Sequence, residues 1–121
     1  MKTKNQEMLE EINKAFARND TGFIVENVTD DIRWIIVGDQ TVEGKEAFTE
    51  TLKAMETDEP MELTIHHIIT HGTSASVNGE MKTSGGKVYA FCDVYQFSGF
   101  KNPKIKEMTS YALKVTDNQE G

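Results

Sequence analysis

The spacing of apolar positions along the chain changes at Pro60. Before this residue, apolar side chains recur every three or four positions in three segments, which predicts amphipathic helices. The three helices are expected over about residues 4–18, 21–31 and 45–59. Thr3 and Gln6 have the spacing of a capping box, so the first helix should begin directly after Thr3.

From Pro60 onward, apolar and polar residues alternate, and this period of two is typical of strands with one buried face. A β-branched and aromatic segment between the second and third helices predicts an earlier short hairpin. The strands are expected over about residues 32–37, 40–43, 60–71, 75–81, 87–97 and 104–115, and residues 117–121 are expected to fray. Leu63, Ile65, His67 and Ile69 are expected to share one strand face.

This order of elements indicates an α+β fold rather than an alternating α/β sheet. An amphipathic helix must bury its apolar stripe, and three such helices on one face of a bent, mainly antiparallel sheet would meet that requirement. The 121 residues provide room for one domain, expected to span residues 1–121.

Composition excludes several classes of partner. The 13 basic and 20 acidic residues give a net charge of −7, which repels phosphate backbones and argues against nucleic acid. Cys92 is the only cysteine, so no intramolecular disulfide is possible. The N-terminus lacks an apolar leader, and the apolar run Trp34–Val37 is far shorter than the ~20 residues of a membrane span. We therefore expect a cytoplasmic protein without a membrane partner.

Three pairs of segments carry a resemblance to a known family. They are Phe16–Asp20 with Val28–Asp31, Trp34–Asp39 with Glu43–Lys45, and Phe91–Phe97 with Lys104–Lys106. The first pair resembles the junction of two helices with the first strand in the nuclear transport factor 2-like superfamily, particularly its SnoaL-like and ketosteroid isomerase-like branches. The second pair resembles the entry into that family's third helix, and the third pair its last hairpin. The resemblance implies a sheet curled as an open cone around the helices, often enclosing a ligand pocket, and dimerisation through the outer sheet face.

The resemblance also implies positions for the machinery of ketosteroid isomerase. In that enzyme an Asp base works with an oxyanion hole made of a Tyr and a protonated Asp. By position, the base falls at Ile36 and the Tyr at Ile12, and neither side chain can transfer a proton. Only the third position, Asp93, keeps its residue type. Ketosteroid-type isomerisation is therefore not expected.

Asp93 is the residue that most suggests a site. It lies in the middle of a strand, where Asp is rare, and alternation places it with Tyr89, Phe91 and Tyr95 on the expected concave face. One interpretation is a polar anchor, or a catalytic acid or base, in the wall of a pocket. The alternative is a structural carboxyl that bonds to a neighbouring side chain.

Four further residues are candidates for the same pocket. Trp34 needs a partner for its indole N–H when buried, although plain core packing is an equal alternative. The resemblance turns Met108 and Ser110 inward. His67 is a candidate acid–base partner for the carboxyl, and a histidine satisfied within the sheet is the alternative. His67 and His71 lie ~13 Å apart along one strand, too far to share a metal ion, so no metal is predicted. The sequence also has no Gly-rich phosphate loop, and no cofactor is predicted.

The register of the central hairpin depends on its loop. A three-residue loop, Ser84–Gly86, places Val77 opposite Asp93, whereas a two-residue loop places Asn78 there. The apolar pattern favours the three-residue loop.

Three functions are compatible with these residues. The leading hypothesis is a protein that binds a small apolar or aromatic molecule, oriented by Asp93. The second is a SnoaL-like isomerase, cyclase or hydrolase with Asp93 as acid or base. The third is a dimeric structural module whose cone is filled by its own side chains. Since Ala90, Cys92 and Val94 make the outer strand face apolar, a homodimer is expected.

Overall fold

The computed structural model describes residues 2–115, so the expectation for residues 117–121 lies outside the described residues. It contains three helices and a curved six-stranded mixed sheet that does not close. In chain order the elements are α1 (Lys4–Ala17), α2 (Thr21–Glu26), β1 (Val28–Ile36), β2 (Gln40–Glu43), α3 (Lys45–Ala54), β3 (Glu62–His71), β4 (Ser74–Lys82), β5 (Val88–Phe97) and β6 (Ile105–Val115). The predicted α+β class is confirmed.

The first helix begins where the capping box predicts. The Thr3 hydroxyl accepts a hydrogen bond from the Gln6 backbone N–H at 3.1 Å, and the Gln6 side-chain oxygen accepts from the Thr3 N–H at 2.9 Å. Each bond satisfies a backbone donor that the helix itself leaves unpaired. The buried stripe of α1 includes Leu9, Ile12 and Ala15. This stripe packs toward the sheet and forms one wall of the core.

The second helix is shorter than its apolar spacing predicts. It is capped by Asp20 as expected, but it ends at Glu26, and Val28 already belongs to β1. The Asn27 side chain donates to the Phe23 carbonyl at 2.8 Å, and the Asn27 backbone carbonyl accepts from the Ile105 N–H at 2.9 Å. The prediction that α2 continues to residues 29–31 was wrong because β6, a distant segment, pairs with this stretch.

The strands lie in the order β2-β1-β6-β5-β4-β3. All neighbouring pairs are antiparallel except β1 and β6, which run parallel. The helices cover the concave face, and the buried core includes Leu9, Phe48, Val77, Tyr95 and Phe97. Within residues 2–115, no helix is long and apolar enough to cross a membrane.

A bulge in β3 changes which side chains of that strand face inward. Ile65 pairs with Gly79, but the next paired residue is His67, opposite Asn78. The inward series therefore continues at Ile68, and His67 moves to the outer face. Gly79 permits this arrangement, since a Cβ there would lie 2.1 Å from the Thr64 carbonyl oxygen. The prediction that Leu63, Ile65, His67 and Ile69 share one strand face was wrong, because the first two face inward and the last two face outward.

The register of the central hairpin follows the three-residue loop. Val77 lies opposite Asp93, as that loop predicts. The Thr83 N–H donates to the Lys87 carbonyl at 2.8 Å and closes the turn, in which Gly86 has a φ of 90°. Glycine adopts this left-handed conformation without steric cost. The apolar pattern of the two strands therefore predicted their pairing correctly.

Candidate functional site

A cavity of about 230 Å³ lies between the helices and the concave face of the sheet. Its wall is mostly apolar. The inward aromatic members are Phe16, Trp34, Tyr89, Phe91 and Tyr95, and Tyr111 borders the cavity from a position that turns its ring to the outer face. The thioethers are Met55, Met61, Met81 and Met108, and the aliphatic members include Ile12, Ile24, Ile36 and Leu52. Trp34 and Tyr95 are buried, whereas Met55, Tyr89 and Phe91 are half-buried. Small-molecule sites typically combine such an apolar wall with a few converging polar groups.

Strand pairing brings the polar groups of this wall together. In the β5–β6 pair, Asp93 lies opposite Ser110 and Tyr95 opposite Met108. The parallel strand β1 lies on the other side of β6, where Trp34 is level with Met108. Asp93 therefore has a neighbour from its own strand and a neighbour from β6, and Ser110 is within reach of the indole on β1.

A chain of hydrogen bonds converges on Asp93 from two sides. On one side the Trp34 indole Nε1 donates to Ser110 Oγ at 2.9 Å, and the Ser110 hydroxyl donates to the carboxylate. On the other side Asn13 Nδ2 donates to the Tyr95 hydroxyl at 3.3 Å, and that hydroxyl donates to Asp93 Oδ2 at 3.4 Å. The five side chains come from α1, β1, β5 and β6.

The outer members of this chain determine its direction. The indole N–H of Trp34 and the amide N–H of Asn13 can only donate. Because the hydroxyls of Ser110 and Tyr95 accept from these groups, their own hydrogens are left to point at Asp93. Asn13 is held in place by a second bond, from Nδ2 to the Leu9 carbonyl at 2.9 Å. The network therefore donates hydrogen bonds to Asp93 and stabilises the carboxylate, the charged form of this side chain.

Burial and hydrogen bonding act on Asp93 in opposite directions. Burial raises the pKa of the carboxyl and the hydrogen bonds from Ser110 and Tyr95 lower it, and the net result is a rise from 3.8 to about 6. Burial also raises the pKa of the Tyr95 phenol well above 10, with the adjacent carboxylate adding to the effect, so this phenol remains a donor. Asp93 is therefore mainly a carboxylate at neutral pH and becomes protonated as the pH falls through about 6.

The structure places seven of the eight candidate residues at the cavity. They are Trp34, Tyr89, Phe91, Asp93, Tyr95, Met108 and Ser110. His67 is not among them, because the β3 bulge puts it on the outer face, where its Nδ1 lies 3.1 Å from Asn78 Oδ1. His67 is also exposed, so the hypothesis that it is the acid–base partner of Asp93 was wrong. Ile12 and Ile36 also line the cavity.

Asn13 is the functional residue that the sequence reasoning missed. It is a polar residue on an amphipathic helix, where a solvent-facing position is the ordinary expectation, yet its side chain is only 3% exposed. Its position carried a signal, since residue 13 lies four after Leu9 and three before Phe16 and so continues the apolar stripe. A polar residue within such a stripe is buried with its helix and needs a partner, here Tyr95.

Comparison with solved structures supports this fold. An NTF2-like protein of unknown function from Cytophaga hutchinsonii is 25% identical, with a TM-score of 0.66 over 89% of this chain and 98% of that chain. A putative ketosteroid isomerase from Kribbella flavida is 12% identical, with a TM-score of 0.75 over 96% and 82%. An LEH-like epoxide hydrolase from M. tuberculosis is 17% identical, with a TM-score of 0.71 over 88% and 80%. The last two likenesses concern the fold alone.

Sequence comparison places the chain more specifically. No curated protein matches it. The model of the SnoaL-like domain matches residues 9–108, which include most of α1, all of α2 and α3, and most of the cavity wall. The chain therefore belongs to the SnoaL-like domain family, within the nuclear transport factor 2-like superfamily.

Proposed function

We propose that this protein binds a small, largely apolar molecule in the cone, oriented by a hydrogen bond to Asp93. The observation that carries the proposal is an apolar cavity of about 230 Å³ on whose wall four polar side chains converge on one carboxylate. A cone filled by its own side chains would leave no such space. The half-buried surface of Asp93 is available to a ligand on the cavity side.

Binding is tested with cyclohexylmethanol, a neutral alcohol with a compact apolar ring. We expect saturable binding by calorimetry at pH 7.5 and a rise in the melting temperature, because a ligand that binds only the folded state stabilises it. Ala112→Phe adds a ring at an exposed position in the cavity wall and should weaken binding at least tenfold. Ala54→Phe, at an exposed position of α3 away from the cavity, is the matched control and should bind normally. Equal binding by both variants would place the alcohol elsewhere and contradict the proposal.

A catalytic use of Asp93 is the second candidate. The carboxyl has a pKa of about 6, which suits a general acid or base near neutral pH. Two proteins of similar fold are an LEH-like epoxide hydrolase and a putative ketosteroid isomerase. Among the lining residues within 2–115, however, Asp93 is the only carboxyl, and none is His, Lys or Arg. The nearest other titratable group, the Tyr95 phenol, is held protonated by burial. Since most acid–base reactions use a second group that exchanges its proton near neutral pH, binding is the better-supported function.

We also propose that two copies associate through the outer face of the sheet. Four large apolar side chains are exposed on this face: Ile69 at 60%, Val94 at 43%, Tyr111 at 48% and Leu113 at 76%. Strand pairing aligns Ile69, Ser76 and Val94 in one row across three strands. Tyr111 lies opposite Cys92 and Leu113 opposite Ala90, the next two positions of β5 on the same face. An exposed apolar patch of this kind is typical of an interaction surface.

Sedimentation at micromolar concentration should give twice the chain mass. Leu113→Glu introduces a charge into the patch and should yield monomers. Phe100→Glu is the control, because Phe100 is 81% exposed but lies in the loop before β6, outside the patch. This variant should remain dimeric. A wild-type mass equal to one chain would contradict the association.

A further inference from the structure

The charge of the cavity is unbalanced. Among the lining residues within 2–115, Asp93 is the only one that carries a formal charge at neutral pH. The remaining titratable groups on the inner side of the wall are the phenols of Tyr89 and Tyr95, which are never positive. Tyr111 borders the cavity, but strand alternation turns its phenol to the outer face. A carboxylate that is removed from water without a counter-charge lowers the stability of the folded state. A neutral ligand that fills the cavity would displace water from Asp93 and increase this cost.

The hydrogen bonds around Asp93 leave part of its capacity unused. A carboxylate offers about four lone-pair positions. Ser110 and Tyr95 occupy two of them. The accessible surface that remains is in the cavity wall, where an occupant can reach it. The remaining lone pairs can accept hydrogen bonds from a ligand, because the hydrogens of Ser110 and Tyr95 already favour the carboxylate form of Asp93.

The rest of the wall also suits positive charge. Aromatic ring faces attract cations, and besides the outward-turned Tyr111 five aromatic residues line the cavity: Phe16, Trp34, Tyr89, Phe91 and Tyr95. The net charge of −7 draws cations toward the protein and repels anions. Carboxylate, rings and net charge therefore favour the same sign of ligand.

We infer that the molecule bound in the cone is a hydrophobic amine in its ammonium form. Its N–H groups donate to the Asp93 carboxylate, its charge lies among the aromatic rings, and its hydrocarbon part fills the space between the thioether and aliphatic side chains. This inference rests on the proposed binding function and specifies its ligand class. The ammonium supplies the counter-charge that the wall lacks.

A charge series on one ring tests the inference. The probes are cyclohexylmethylamine, cyclohexylmethanol and cyclohexanecarboxylate, which are cationic, neutral and anionic at pH 7.5. We expect the amine to bind roughly tenfold or more tightly than the alcohol, a typical combined effect of an ion pair and ring contacts away from water. The carboxylate should bind more weakly than either. Trp34 is the only tryptophan and lines the cavity, so its fluorescence reports occupancy by these non-absorbing probes.

Substitutions distinguish the cavity from the general negative surface. Asp93→Asn should remove the preference for the amine and leave the alcohol bound. Asp31→Asn, an identical charge change at an exposed position of β1, should retain the preference. Circular dichroism and the melting temperature establish that each variant is folded, and Ser110→Ala, which keeps the carboxyl, should still prefer the amine.

Proton exchange near pH 6 provides a second readout. A bound ammonium favours the carboxylate, so amine binding should release a proton from Asp93, whereas a bound alcohol excludes water and should take one up. Calorimetry in buffers of different ionisation enthalpy measures the sign. An alcohol that binds as tightly as the amine, or an amine preference that survives Asp93→Asn, would overturn the ammonium inference and leave the proposed function standing. If none of the probes binds, both fail.

Discussion

At the scale of single residues, the site depends on a carboxyl whose environment was only partly visible in the sequence. Asp93 indicated a site because Asp is rare in the middle of an apolar strand and needs a polar partner or water there. Its inward direction followed from strand alternation, as did that of Tyr95. The contribution of Asn13 was missed because a single polar residue on an amphipathic helix is usually read as solvent-facing. The chain Asn13–Tyr95–Asp93 joins segments about 80 residues apart, and local patterns contain no information about such contacts.

The raised pKa of Asp93 predicts how stability depends on pH. Between its ordinary pKa of 3.8 and its folded pKa of about 6, the folded state binds more protons than the unfolded state, so this carboxyl's contribution to stability falls as the pH rises. A shift of about two units corresponds to ~3 kcal/mol. The Asp93→Asn variant should therefore gain up to ~3 kcal/mol in unfolding free energy relative to wild type between pH 4 and pH 7.5.

Urea unfolding of both proteins across this range measures the difference. Asp31→Asn, at an exposed position, is the control for the loss of one negative charge. If the difference between Asp93→Asn and wild type stayed constant from pH 4 to pH 7.5, the carboxyl would not be buried as described.

At the scale of elements, the periodic spacing of apolar residues predicted most helices and strands. The errors at the end of α2 and in β3 come from pairing between strands that this spacing does not show. The spacing of Thr3 and Gln6 located the start of α1, and the loop at Ser84–Gly86 located the register of β4 and β5. The bulge at Ile65 moved His67 to the outer face, and the alternation of apolar residues conceals such a one-residue insertion. Gly79 in the middle of β4 was the available signal, since a glycine inside a strand often marks a bulge.

This role of Gly79 is testable. Gly79→Ala introduces a Cβ 2.1 Å from the Thr64 carbonyl oxygen, a contact with backbone that no side-chain rotation relieves. We expect a loss of roughly 1–3 kcal/mol in unfolding free energy, the usual cost of overpacking. Gly99→Ala has nothing within 4 Å of the added carbon and should change stability little. A Gly79→Ala protein as stable as wild type would mean that β3 and β4 approach less closely than described.

At the scale of the whole molecule, the cavity is a product of the sheet's topology. The parallel pairing of β1 with β6 brings Trp34 next to Ser110, and the antiparallel pairing of β6 with β5 brings Ser110 next to Asp93. The sequence predicted the α+β class, and the family resemblance implied the cone. Pattern alone predicted neither the strand order nor the size of the cavity, because both depend on contacts between distant segments.

The central claim is that the space beside Asp93 holds a ligand. The most direct test follows the single indole N–H resonance of the protein, that of Trp34, by two-dimensional NMR during titration with cyclohexylmethanol and cyclohexylmethylamine. This N–H donates to Ser110 in the cavity wall, so it should shift saturably with both probes and should need at least tenfold more probe in Ala112→Phe. An indole resonance that stays in place up to the solubility limit of both probes, in a folded protein, would contradict the account.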